Sequence, residues 1–193
     1  MRLFIAVELD EAVRNAAASL GAGLRERIQA GGRHLLPGGA TWVKAANMHL
    51  TLRFLGEVNE QVAERVRELV ARPFGMKPFD IELGGLGMFP ITGRPRVLWI
   101  GLRAGFPQLE ALASEVGSRL ESLGIPPEGR PFQAHLTLAR FREPAAEQVR
   151  REVAGEPVAA GRCAVEEVVL FESRLSPKGP EYHALVRAPL SGS

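Results

Sequence analysis

Two short strings in this chain carry residue types that could do chemistry: His49-Leu50-Thr51-Leu52 and His135-Leu136-Thr137-Leu138. On a strand, where successive side chains alternate between faces, each string sends its His and Thr to one face and its two Leu to the other. The leucine face belongs in a core. A polar face on an otherwise apolar strand needs a partner, and the obvious partner is the other copy. Two imidazoles facing each other across a cleft supply a general acid and a general base, and the threonine hydroxyls can hold charged oxygens between them. An ester with no proton of its own, to be cleaved by an acid and a base without a metal, suggests an activated phosphodiester. A strained five-membered cyclic phosphate is the easiest case. A single His on a strand is more often a satisfied core or rim residue; the duplication reverses that balance. Two His can also begin a zinc site, but no carboxylate lies within either string and no His-Glu-x-x-His helix occurs, so neither a metal nor a cofactor is expected.

The elements that would position these strings recur in the same order. Residues 3–7 form an apolar strand, and Asp10 stands where an N-cap belongs, ahead of an Ala/Leu/Arg-rich helix over 11–30 that Gly31-Gly32 stops. Pro37-Gly38-Gly39 marks a loop leading to Trp42 and the first His-x-Thr strand, which Gly56 ends. Asn59 caps a second helix over 60–70, and a strand over 79–86 follows. The irregular stretch 84–93 is the middle boundary. The second half begins again at Leu98-Trp99-Ile100-Gly101-Leu102, which matches Leu3-Phe4-Ile5-Ala6-Val7 in residue type. A helix over 107–123, the second His-x-Thr strand at 135–140, a short helix over 145–153, and strands over 164–171 and 182–186 complete it. Each half is strand, helix, His-x-Thr strand, helix, strand. This is the pattern of an internal duplication. The expected fold is α+β and bilobal, a single domain over 1–193 whose pseudo-repeat halves, about 1–90 and 95–190, build two pseudo-symmetric lobes of antiparallel sheet with outer helices around a central cleft.

Composition narrows the function classes. Of 193 residues 46% are hydrophobic, ample for a packed core, and 24 Lys+Arg against 22 Asp+Glu leave no strongly basic surface for coating a polyanion. Nearly all the cations are Arg, the better fork for a single phosphate; the lysines are Lys44, Lys77 and Lys178. Cys163 has no second Cys for a disulfide or a thiolate zinc site, which fits a reducing, cytoplasmic compartment. The first apolar run is broken by Glu8 and Asp10, too early for a signal peptide, and no stretch approaches the ~20 apolar residues of a membrane span.

The strings and their flanks, His49-Leu50-Thr51-Leu52-Arg53-Phe54-Leu55-Gly56 and Arg130-Pro131-Phe132-Gln133-Ala134-His135-Leu136-Thr137-Leu138-Ala139-Arg140, resemble the paired signatures of the two-histidine phosphoesterase superfamily. Within it the chain is most similar to the RNA 2′,3′-cyclic phosphodiesterases, historically called 2′-5′ RNA ligases. The resemblance runs from Arg2-Leu3-Phe4 through Val97-Leu98-Trp99 to Ser173-Arg174-Leu175-Ser176-Pro177-Lys178-Gly179-Pro180-Glu181-Tyr182. It implies metal-independent hydrolysis of a terminal ribose 2′,3′-cyclic phosphate, on RNA ends or cyclic nucleotides, to a 2′-phosphate, with no membrane and no obligate protein partner. By that resemblance His49 protonates the departing O3′ and His135 activates water, although pseudo-symmetry makes the two interchangeable by sequence. Thr51, Thr137 and Arg140 would hold the nonbridging oxygens. Two rival readings keep the same cleft: reversible 2′-5′ RNA ligation, which shares the transition state, and a non-catalytic module that binds RNA ends or nucleotides.

Arg140 poses a geometric problem. Strict alternation from His135 turns Thr137 and Ala139 into the cleft and Arg140 out of it, so Arg140 reaches a phosphate only if the strand ends, twists or bulges near Ala139. Its counterpart in the first string is Phe54, which would make the cleft charged on one side and apolar on the other. A nucleoside also needs a surface on which its base can stack. Phe4 and its repeat mate Trp99 are the candidates, with Tyr182 and His183 as further ones.

Overall fold

Strands come first and last. A computed structural model describes every residue except Gly155, Pro157, Lys178, Ser193 and the side chain of Ala159, so the Lys178 of the expected turn at 176–180 lies outside the described residues. The chain runs β1 (Arg2–Glu8), α1 (Glu11–Ala30), β2 (Ala40–Trp42), β3 (His49–Glu57), α2 (Glu60–Val70), β4 (Phe79–Phe89) and β5 (Val97–Ala104). It continues through α3 (Phe106–Glu121), β6 (Leu136–Phe141), α4 (Val149–Val153), β7 (Ala159–Val165), β8 (Glu167–Ser176) and β9 (Gly179–Pro189).

The helices follow from their apolar spacing. Val13, Ala17, Gly21, Leu24 and Ile28 of α1 are buried, as are Leu109, Leu112, Val116 and Leu120 of α3. Asn59 caps α2, its side chain accepting from the Val62 N–H at 2.8 Å. Asp10 holds the N-cap position of α1 without a side-chain bond; its carbonyl instead accepts from the Arg14 N–H at 2.9 Å. The strands differ more from expectation. Gly84–Phe89 do not end β4 but continue it, with an irregular register between Leu83 and Leu86 where Gly85 takes a positive φ of 77°. The expected strand over 164–171 is two strands, β7 and β8, that meet at Glu166.

Two antiparallel sheets result, in the orders β3-β1-β8-β9 and β2-β6-β5-β4-β7. The lobes therefore do not coincide with the repeated halves. The last strand of the first half, β4, pairs with β5 of the second, while β8 and β9 return to β1. Helices cross over as well: α1 packs on β7 and β6, whereas α3 packs on β3 and α2 on β8 and β9. Each lobe is built from both halves, which locks the cleft walls to one another through the core. The alternation of β1 sets the two faces. Leu3, Ile5 and Val7 join the main core, and Phe4 and Ala6 form a smaller cluster with Val169 and Phe171 on the cleft side.

Candidate active site

His49 opens β3 and His135 immediately precedes β6, and both line one cleft of about 540 Å³ between the sheets. Thr51, Thr137, Arg140 and Phe4 line the same cleft. The Leu faces go where alternation sends them, with Leu50, Leu52, Leu136 and Leu138 all buried.

A bulge brings Arg140 in. In the β5–β6 ladder Leu98 pairs with Ala139 and Trp99 with Thr137, so Leu138 is an extra residue. Leu138 and Ala139 are both buried, and the phase of alternation slips by one, turning Arg140 to the cleft. The first string does the same: Ile5 pairs with Arg53 and Ala6 with Thr51, Leu52 is the extra residue, and Phe54 turns to the cleft in the place that Arg140 takes opposite. The duplication is preserved down to its irregularity. The register also corrects the repeat mates: the residue facing Thr137 is Trp99 but the one facing Thr51 is Ala6, so Phe4 corresponds to Val97 and not to Trp99. A shift of two keeps every side chain on its face, which is why residue types alone did not reveal it.

The two imidazoles are held alike. Nδ1 of His49 lies 2.8 Å from the carbonyl oxygen of Asn47, and Nδ1 of His135 lies 2.7 Å from that of Gln133. A carbonyl only accepts, so Nδ1 carries the hydrogen in each ring and Nε2 keeps its lone pair free. Aromatic rings fix their planes. Phe4 stacks on His49 with centroids 4.7 Å apart and Tyr182 meets it edge-on at 5.2 Å, while Phe89 meets His135 edge-on at 5.0 Å. Phe4, only 3% exposed, presents little face to a ligand and works chiefly as the backing of His49. Trp99 backs His135 at 6.2 Å, and the open aromatic of the cleft is Phe54 at 53% exposure. His183 is exposed on β9, and neither it nor His34 lines the cleft.

Burial lowers the pKa of both imidazoles. His49 falls to about 4, chiefly by desolvation, with Arg140 and His135 pushing the same way against the Asn47 carbonyl and Glu8. His135 is also lowered by desolvation and by Arg140, against the Gln133 carbonyl. Both rings are thus neutral at pH 7 in the free protein. A group with a lowered pKa binds its proton less readily folded than unfolded, so between 6.5 and about 4 the unfolded chain holds more protons and stability falls as pH drops. Stability from His49 is complete above the ordinary His value and is expected to decline by about 3 kcal/mol on going down to pH 4. Urea unfolding at several pH values, compared between wild type and His49→Gln, checks this; parallel losses in the two would acquit His49.

Residues that sequence reasoning passed over complete the site. Asn47 both fixes His49 and donates from its side chain to the Pro180 carbonyl at 2.8 Å, tying the β8–β9 hairpin to the cleft. Arg2 lines the cleft, and it acts with Arg140 on the Tyr182 hydroxyl, whose pKa burial raises. A backbone carbonyl two residues before each His leaves no trace in residue type, and that is why this half of the arrangement was invisible. Among the described residues no three His, Cys, Asp or Glu side chains group so as to hold a metal ion.

Comparisons with known proteins converge on this architecture. The pattern of the family described as LigT like Phosphoesterase matches residues 7–99 and, a second time, residues 100–182. An RNA 2′,3′-cyclic phosphodiesterase of Aeropyrum pernix is 40% identical over 156 residues, covering 78% of this chain and 87% of its own. A crystal structure from Thermus thermophilus superposes with a TM-score of 0.77 at 33% identity, covering 100% of both chains. That of E. coli LigT complexed with 3′-AMP superposes with a TM-score of 0.73 at 29% identity, covering 98% of both.

Proposed function

The chain belongs to the LigT-like family of two-histidine phosphoesterases, and on that premise we propose that it hydrolyses terminal ribose 2′,3′-cyclic phosphates of RNA or nucleotides to 2′-phosphates, with His49 and His135 as the acid–base pair and no metal. The observation that carries this is the matched pair of imidazoles on one cleft, each with Nδ1 tied to a carbonyl and Nε2 free, beside the Arg140 guanidinium. His135 Nε2 takes a proton from water as its oxygen attacks phosphorus. The P–O3′ bond breaks, and His49 Nε2 delivers the proton to the leaving O3′. Thr51, Thr137 and Arg140 hold the nonbridging oxygens, so charge developing on phosphorus meets donors already in place. His49 must be charged to act as the acid. The substrate anion favours the imidazolium there, as does Glu8, its register partner on β1, whereas among the described residues no carboxylate acts on His135.

A cytoplasmic location, suggested by the single cysteine, belongs to this reading; no helix among the described residues is long and apolar enough to cross a membrane. Incubating the protein with adenosine 2′,3′-cyclic phosphate in excess EDTA, and separating the products by chromatography, tests the proposal. Conversion to adenosine 2′-phosphate is expected. Binding without turnover would favour a non-catalytic module, and turnover restored only by added metal would overturn metal independence.

A further inference from the structure

Next to the catalytic cleft lies a second hollow of about 530 Å³, nearly the same size. The two share Thr51, Phe54 and His135, so they adjoin beside the second histidine. We propose that the second hollow is the subsite for the nucleotide on the 5′ side of the terminal nucleoside, so that the preferred substrate is an oligonucleotide end and not a mononucleotide. This rests on the phosphodiesterase reading above.

The lining suits that occupant. Phe89, Phe132 and Pro131 give it apolar surface, and Phe54, 53% exposed, stands at the junction of the two hollows. A base of any identity can stack on such surfaces. Two of its three cations are uncommitted: the side chains of Arg96 and Arg130 are exposed and make no hydrogen bond or ion pair among the described residues, whereas Arg53 is engaged. The one carboxylate in the lining is already engaged. Glu128 lies 3.9 Å from Arg53 Nε and accepts from the Phe54 N–H at 3.3 Å, while Arg53 also donates to the Pro126 carbonyl. The hollow therefore presents two free guanidinium groups and a neutralised acid beside flat apolar surface, the complement of a nucleotide with its phosphodiester. An RNA chain ending in a 2′,3′-cyclic phosphate continues only on its 5′ side. With the terminal nucleoside in the catalytic cleft, the next nucleotide must run over adjoining surface, and this hollow adjoins the cleft and carries the opposite charge.

Binding and turnover separate this proposal from the reading beneath it. The probes are 3′-AMP against the dinucleotide ApAp for calorimetric binding, and adenosine 2′,3′-cyclic phosphate against ApA 2′,3′-cyclic phosphate for kcat/KM. Wild type is expected to bind ApAp, and to turn over the cyclic dinucleotide, roughly tenfold better than the mononucleotide, with the gain shrinking as salt rises. The double variant Arg96→Ala/Arg130→Ala should lose that gain while keeping wild-type binding and turnover of the mononucleotides. Equal binding of ApAp and 3′-AMP by wild type, or equal losses on both in the variant, overturns the subsite whatever the turnover. A tighter hold on ApAp with neither cyclic compound hydrolysed would keep the subsite and sink the hydrolase instead.

Discussion

Replacing either histidine by alanine is expected to lower kcat/KM on a 2′,3′-cyclic nucleotide by about 10²–10⁴-fold, the usual contribution of a general acid or base. Each ring has one nitrogen fixed to a carbonyl and one left for proton transfer, so a side chain that holds position without cycling a proton should fail as badly as a truncation. His49→Gln and His135→Gln therefore belong beside the alanine variants. They also guard against a trivial cause. His49 packs between Phe4 and Tyr182, and an alanine there leaves a gap that could disturb the aromatic cluster. On the proposed mechanism the double variant should lose little more than either single one, because an acid and a base that act in the same step do not contribute additively. Thermal melts of all variants establish that they fold. A His135 variant turning over at the wild-type rate would remove that residue from the reaction, and the same result at His49 would remove the proposed acid.

Sequence reasoning could place both His-x-Thr strings on one cleft because strand alternation is a strict rule. Once His49 and Thr51 share a face, Leu50 and Leu52 must share the other, and the burial of those leucines fixes the strand in the sheet. The duplication then implied that the two polar faces meet. What alternation could not supply was its own interruption. Leu52 and Leu138 are ordinary apolar residues, and nothing in their type marks them as the extra residues of bulges; the need for a bulge at Arg140 was legible only as a condition. Strand exchange was hidden for a different reason. A repeat of strand and helix in sequence order is equally consistent with each half closing on itself or with β4 and β8 trading sheets, since pairing partners are chosen by tertiary packing. The short β2 escaped because Ala40–Trp42 follow Gly38-Gly39 and are too few for a period, yet they extend the sheet beyond β6 and set Trp42 near Gly21 of α1. Phe54 shows both limits together: its pairing with Arg140 in the repeat was readable, but its exposure at the junction of two hollows followed only from the bulge at Leu52.

On the proposed mechanism Arg140 joins the bulge to the chemistry, and its removal should have two separable effects. Arg140→Ala is expected to reduce kcat/KM by about 10²–10³-fold, the scale seen when one donor to a developing oxyanion is lost. The second effect is on pH. The guanidinium lowers the pKa of both His49 and His135, and a base must be neutral to act, so the proposed mechanism expects the acid limb of the wild-type kcat/KM profile below the ordinary His value of 6.5. Without Arg140 each imidazole holds its proton to higher pH. The acid limb should therefore move upward, and activity should disappear sooner on acidification; the apparent values belong to the coupled pair. Arg140→Lys separates charge from geometry. It keeps the cation and should leave the limb near its wild-type position, but a point charge cannot reproduce a two-pronged grip on phosphate, so part of the rate loss should remain. A rate loss in the alanine variant with an unmoved limb would place Arg140 on the phosphate but too far from the rings to tune them. An unchanged rate and an unmoved limb together would reduce Arg140 to a solvated charge at the end of β6, and the bulge that turns it inward would then require another explanation.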